Sequence, residues 1–229
     1  MARVINEEEY NRRRSEILDT AQRLILTKGY EQMSIQDVID QLGISKGAFY
    51  HYFSSKSGLL EASLQRTQQQ AEAQIYPILQ AAGMPVLEKI NRFFSNVGRW
   101  KSAQKSYLMA LLAVWYTDEN LVVRHKTTGR MLHGFAPLMA GLIRQGVLEG
   151  VFNTAHPDQA SRILLALMLQ MGDEFAGLLL DPLRCHDDAA AQAIVAAYTT
   201  AFERILGAPS GSIELMDQAT IRQWVAPLE

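Results

Sequence analysis

Apolar positions along this chain recur every three or four residues. Ile17, Leu18, Ala21, Leu24 and Ile25 share one face at that spacing, which predicts an amphipathic helix, and Asn6 with Glu9 three residues on can cap its start. Lys28 and Gly29 supply its stop. Ser34 and Asp37 repeat the capping spacing, and Ile35, Val38, Ile39 and Leu42 form the stripe of a short second helix ending at Gly43. Ser45 is placed to cap a third helix. Ser54 or Ser55 is placed to cap a fourth, which runs through Leu59, Leu60 and Leu64 towards Pro77.

Beyond Gly83-Met84-Pro85 the periodic segments lengthen. Helices are expected over 85–100, 103–116, 118–148, 157–180 and 187–206, with a last one over 213–225. Gly129, Gly134 and Pro137 predict a kink or break in the third of these. No segment alternates with period two, so the expected fold class is all-α, and no internal repeat is visible.

Composition sharpens this picture only in part. A chain of 229 residues that is 48% hydrophobic can fill a substantial core. A net charge of −2 excludes a uniformly basic nucleic-acid coat, so any anion-binding surface has to be local. The single cysteine, Cys185, excludes an internal disulfide framework and fits a reducing cytoplasm. Neither a signal-length apolar stretch in MARVINEEEYNRRR nor an uninterrupted apolar run of about 18 residues is present, so the expectation is a soluble cytoplasmic protein with no membrane partner.

The stretch LGISKGAFYHYFSSK, residues 42–56, carries the candidate chemistry. Two short amphipathic helices joined by a few residues with a glycine form a helix-turn-helix, over about 34–53, whose second helix can enter the DNA major groove. Phe49 and Phe53, four apart, share the face that seeks a core. Lys46, Gly47, Ala48, Tyr50 and His51 are left for the groove, the small residues allowing close backbone approach. Lys56 opens the fourth helix, where its ammonium and the free N–H groups favour a phosphate. Residues 44–60 hold two lysines and no acid, although residues 1–66 balance nine basic against nine acidic side chains.

From Arg12 to Leu60 the sequence resembles the DNA-binding domain of the TetR family of bacterial transcriptional regulators. The resemblance rests on Ile17, Ala21 and Gly29, on Leu42-Gly43-Ile44-Ser45-Lys46-Gly47, on Tyr50-His51-Tyr52-Phe53, and on Lys56. It implies an all-helical homodimer, with an N-terminal helix-turn-helix DNA-binding domain over 1–56 and a larger effector-binding and dimerisation domain over 57–229. It further implies that Ser34 meets a phosphate, that Gln36 reaches a base edge, that Ser45, Lys46 and Ala48 look towards bases and backbone, and that Tyr50, His51, Tyr52 and Lys56 contact phosphate or sugar. Alanine at 48 stands where many relatives carry threonine, which shifts readout there towards apolar contact. Arg12, Arg13 and Arg14 read first as a solvated helix start. The stretch Gly146 to Phe152 resembles the family's turn between two long helices.

The resemblance also implies an effector pocket among Trp100, Tyr107, Trp115, Tyr116, His133, Phe135 and Met139, for which ordinary core is the competing reading. Twofold-related recognition helices reach half-sites about 34 Å apart, so a dimer contact is sought on the Ala-, Leu- and Met-rich segments 157–180 and 187–206. There Leu167, Met171, Ala193, Ala197 and Ala201, with Leu164, Met168, Phe175 and Ala190, offer apolar faces for a four-helix bundle. Cys185-His186-Asp187-Asp188 reads as a helix cap with helpful acids, and His125 with His133 lacks a third ligand, so no metal and no cofactor is expected. With no phosphate cradle or nucleophile motif there is no enzyme reading to carry. The expected function is a DNA-binding transcriptional regulator, a repressor released from a palindromic duplex operator by a small-molecule effector. The alternatives are a helical small-molecule carrier or a protein-interaction adaptor in which the helix-turn-helix is inert.

Overall fold

The computed structural model describes residues 7–227, so Asn6, read as the first cap, lies outside the described residues. Among the described residues the fold is all-α. The order is α1 Glu7–Lys28, α2 Ile35–Leu42, α3 Lys46–Tyr52, α4 Lys56–Leu79, α5 Val86–Ser102, α6 Lys105–Trp115, α7 Leu121–Leu148, α8 Pro157–Leu180, α9 Asp188–Leu206 and α10 Gln218–Val225, with a 3-10 turn at Asp118–Asn120.

Contacts gather these helices into two compact units. One comprises residues up to Gln69 together with Ser106–His125, and the other Gln70–Lys105 with Lys126 onwards. The division therefore does not fall at residue 56. In the first unit, Ile17, Leu18, Ala21, Leu24 and Ile25 of α1 meet Val38 and Ile39 of α2, Phe49 and Phe53, and Leu59 and Leu60 of α4. Tyr107, Leu111 and Val114 of α6 join the same cluster. Their spacing of four and three puts all three on one stripe of α6.

In the second unit α8 packs on α9, and α10 packs on both α9 and α5. Phe93, Phe94, Ile143, Leu164, Val195, Phe202 and Leu206 are buried. Asn91 holds the stretch before α10, its side chain donating to the Ser212 carbonyl at 2.9 Å and accepting from the Glu214 N–H at 3.0 Å. Buried Glu203 accepts the Ile213 N–H at 3.1 Å.

Three sequence expectations need correction. Of the kink or break foreseen at Gly129, Gly134 and Pro137, the break is absent, and α7 continues as helix through all three. The carbonyl that Pro137 leaves without an N–H partner is that of His133, which is exposed, so water can serve it. The segment 118–148 opens as a 3-10 turn before α7 begins at Leu121. The last helix starts at Gln218 rather than near 213, because Asp217 accepts the Thr220 N–H at 2.6 Å and caps it there.

One described helix, α8, is long and apolar enough to cross a membrane, with a mean hydropathy of 1.7 over its most apolar stretch. Exposed Arg162, Asp173 and Glu174 interrupt its surface, and its inner face, including Leu164, Leu165, Phe175 and Leu179, is buried in the second unit.

Gly146 near the end of α7 has a packing role. The Phe152 ring folds back onto it, and a Cβ at 146 would fall inside that ring. The Val151 and Phe152 N–H groups both donate to the Gly146 carbonyl at 3.0 Å, fixing the turn that brings Phe152 there. Gly146→Ala should therefore lower stability by about 1–3 kcal/mol through overpacking. Thermal unfolding of the variant, and partial recovery when Phe152→Leu is added, provides the measurement.

Candidate nucleic-acid interface

The helix-turn-helix is built by local capping. Ser34 Oγ accepts the Asp37 N–H at 3.1 Å while Asp37 Oδ2 accepts the Ser34 N–H at 2.8 Å, so α2 opens with a complete capping box. Lys28 at the end of α1 pairs with Asp37 Oδ1 at 2.6 Å. The Lys28 hydrogen bond and the two from Ser34 lower the Asp37 carboxyl from its ordinary 3.8 to about 2. Gly43 ends α2 at φ +61, the left-handed region that glycine enters at little cost, and its N–H bonds back into the helix. Two residues later Ser45 Oγ accepts the Ala48 N–H at 3.1 Å and starts α3. A sharp turn is thus fixed between two short helices.

Phe49 is fully buried and Phe53 is 5% exposed, with their ring centroids 6.0 Å apart, as the anchoring face of α3 requires. On the other side Ser45, Lys46, Gly47, Tyr50 and His51 are exposed, and Ala48 is half-buried. Ser34 and Gln36 are exposed too, but both are engaged within α2. The Ser34 hydroxyl also donates to Asp37 Oδ2 at 2.9 Å, and Gln36 Nε2 donates to Asp40 Oδ1 at 2.7 Å.

Gly47 has a helical backbone, and a Cβ there would meet only Ser45 Oγ at 3.9 Å, an ordinary contact. Nothing inside the chain calls for glycine at this position.

Lys56 is held closer than its reading as a phosphate clamp foresaw. Its Nζ donates to the Glu31 carbonyl at 3.0 Å and lies 4.4 Å from the centroid of the Tyr30 ring. Tyr30 is buried, and that burial, with Glu31 and Glu119 nearby, raises its hydroxyl to about 12, so the cation faces a neutral phenol. The ammonium therefore ties the start of α4 to the turn between α1 and α2. Ser55 rather than Ser54 caps α4, its Oγ accepting the Gly58 N–H at 3.0 Å.

Of two α1 side chains at the interface, Tyr10 carried no expectation and Arg14 read as part of a solvated helix start. Tyr10 packs on Tyr52 with ring centroids 4.8 Å apart and meets His51 edge-on at 5.7 Å. One turn on, the Arg14 guanidinium lies 5.4 Å from the centroid of the Phe53 ring. Their i, i+4 spacing was the available signal, hidden inside a charged run. Arg14 also lines a polar cleft of about 280 Å³ between α1 and α4, with Asn11, Ser15, Gln65, Arg66 and Gln69 among its walls.

The residues expected to line an effector pocket are shared between the two units. Tyr107 is 3% exposed in the core of the first unit; Trp115 and Tyr116 belong to the same unit and are half-buried. Trp100, His133, Phe135 and Met139 belong to the second. There Phe135 stacks on Tyr76 at 6.2 Å, Met139 is buried, Trp100 is half-buried and His133 is exposed.

Of the expected dimer residues, Leu167, Met171 and Ala201 are half-buried and Ala193 and Ala197 exposed, whereas Leu164 and Phe175 are spent on the core of their own chain. Asp187 caps α9 by accepting the Ala190 N–H at 2.9 Å, and His186 Nδ1 lies 2.5 Å from the Val225 carbonyl. Among the described residues no group of His, Cys, Asp and Glu is placed to hold a metal ion.

Comparison with known proteins places residues 17–63 in the family model described as bacterial regulatory proteins, tetR family. The uncharacterised HTH-type transcriptional regulator YuxN of Bacillus subtilis is 48% identical over 48 residues, covering 21% of this chain and 16% of that protein. The chain thus aligns with about a sixth of that relative's length. YfiR, an uncharacterised HTH-type transcriptional regulator of the same organism, is 24% identical over 166 residues, covering 69% of this chain and 76% of that one. A crystal structure of a TetR-family transcriptional regulator from Pectobacterium atrosepticum has the same fold, with a TM-score of 0.64 at 19% identity, over 89% of this chain and 99% of that chain.

The depressed Asp37 carboxyl gives the site a pH signature. A group whose native value lies below its unfolded value stabilises the fold above the unfolded value and loses that contribution as pH falls through the native one. The stability difference between wild type and Asp37→Asn should therefore be constant above about pH 5 and shrink between pH 4 and 2. Urea midpoints across that range, with an NMR titration of the carboxyl, provide the check.

Proposed function

We propose that this chain, which belongs to the tetR family of bacterial regulatory proteins, is a sequence-specific DNA-binding transcriptional regulator. The observation that carries the reading is the two-sidedness of α3. A seven-residue helix is pinned through Phe49 and Phe53 and turns Lys46, Gly47, Tyr50 and His51 to solvent. A helix too short to be stable alone, presented with small residues at its N-terminal end, suits insertion into a major groove.

Gly47 strengthens the reading. Internal packing leaves room for a side chain there, so the missing Cβ is explained by the close approach of something outside the chain, such as a phosphate or a base edge. Lys46, Tyr50 and His51 lie around it. Lys56, already tied to the α1–α2 turn, contributes charge and order to the start of α4 beside the same surface.

A homodimer is part of this proposal, because one α3 reads too few base pairs for useful specificity. Leu167, Met171, Ala193, Ala197 and Ala201 on α8 and α9 are our candidates for its contact, and their exposed or half-buried state leaves them available. We further propose that a small-molecule effector bound within the larger C-terminal part releases the operator, giving repression. Such a ligand has to bind the DNA-incompetent state more tightly, since equal affinity shifts nothing.

Selection of bound sites from random duplex DNA is expected to yield a palindrome with half-sites about one helical turn apart. Binding to it should weaken steeply with salt, and Lys46→Ala should reduce the slope of log K against log salt by about one unit. Gly47→Ala separates function from folding, with stability expected to be unchanged or raised by up to about 1 kcal/mol while operator affinity falls at least about tenfold. Absence of any preferred duplex sequence would overturn the proposal.

A further inference from the structure

Tyr10 lies on α1, outside the helix-turn-helix, and its ring touches two of the rings expected at the DNA surface. It is half-buried, with its centroid 4.8 Å from that of Tyr52 at a 36° tilt, and 5.7 Å from that of His51 at 85°. His51 and Tyr52 meet each other edge-on at 5.2 Å. Three rings thus form a closed cluster at the C-terminal end of α3, each touching the other two. Tyr52 is half-buried and also packs against the core of the first unit, whereas His51 is exposed, so the rings of Tyr10 and Tyr52 together give His51 its support.

Placement explains why that support comes from α1. The last turn of α3 has its own buried ring on the opposite side, Phe49, and its C-cap Phe53 is covered by Arg14. Tyr10 and Arg14 stand one turn apart on α1, so one stripe of α1 covers the rings at positions 51, 52 and 53 in succession. The two edge-on contacts, Tyr10–His51 and His51–Tyr52, are of the kind that aromatic quadrupoles favour. Fixing two rings before binding removes the cost of ordering them against DNA, so the contribution is to affinity through preorganisation rather than through contact.

We propose that Tyr10 is a positioning residue for DNA recognition, holding His51 and Tyr52 in the orientation in which they meet the sugar-phosphate backbone; this rests on the regulator reading above. The ring matters and the hydroxyl does not.

The test uses the full chain and, as probe, the duplex recovered by selection. Tyr10→Phe keeps both ring contacts and is expected to bind within about twofold of wild type, whereas Tyr10→Ala is expected to lose about tenfold. The slope of log K against log salt should not change in Tyr10→Ala, because no phosphate contact is removed. The loss should largely vanish in a background of His51→Ala with Tyr52→Ala, as coupling between touching groups requires. In the free protein, the His51 ring-proton resonances, assigned by their absence in His51→Ala, should shift in Tyr10→Ala as the neighbouring ring current is lost. Should Tyr10→Ala fold poorly, Tyr10→Leu keeps the bulk without the flat ring and is expected to show the same loss.

Three results would overturn the proposal while leaving the regulator reading intact: wild-type affinity in both Tyr10→Ala and Tyr10→Leu, a loss in Tyr10→Phe as large as in Tyr10→Ala, or a salt slope reduced by about one unit in Tyr10→Ala, which would make Tyr10 a phosphate contact itself. A wild-type chain that prefers no duplex overturns both, even where the His51 resonances shift as expected.

Discussion

Burial of Phe49 is the constraint on which the rest of the interface depends. A helix of seven residues falls short of the length at which isolated helices persist in water, since nucleation is costly and too few bonds follow to offset it. What holds α3 in place is tertiary: a fully buried ring among α1, α2, α4 and α6, a second buried ring at Phe53, and a serine cap that fixes where the helix begins. Removing a buried phenylalanine typically costs about 3–5 kcal/mol, against about 0.5–2 kcal/mol for losing a single serine cap. The exposed side of α3 is ordered because the other side is buried.

Much of this was legible in the sequence because its carriers are local. Ser34 with Asp37, Gly43, and Ser45 are capping signals read at fixed offsets, and each does in the structure what its spacing implies. The four-residue interval between Phe49 and Phe53 placed the buried face correctly. Asp187 belongs to the same class. Asp217, which caps α10 through Thr220, is a local signal of the same kind that the expected 213–225 helix passed over.

The rest was not legible because it depends on which distant segment arrives. Tyr10 sits in a run of Glu and Arg that reads as a solvated helix start, and nothing local indicates that α1 lies against residues 51–53. Lys56 carries the signal of a phosphate ligand, yet its ammonium is occupied by a carbonyl and a ring contributed by residues 30 and 31. Tyr107 read as pocket lining or core, and it is packed in the core of the N-terminal unit. Gly129, Gly134 and Pro137 read as a kink or break, and α7 stays helical through them, with the carbonyl that Pro137 frees belonging to an exposed residue, His133. Local propensity was overruled in each case by long-range packing or by solvent.

Three glycines separate what the fold requires from what a partner requires. Gly43 answers to the backbone, standing at φ +61 where a side chain would be strained. Gly146 answers to packing, with the Phe152 ring occupying the space of its missing Cβ. Gly47 answers to neither, having helical angles and open surroundings. A glycine costs helix stability relative to alanine, so its presence in the first turn of an anchored, outward-facing helix is a cost without an internal return. That cost is offset only if another molecule comes within a methyl group's distance of the backbone. Lys46, Tyr50 and His51 share α3 with Gly47, and α3 carries no acid, which suits the anionic backbone and flat base edges of the duplex DNA in our proposal.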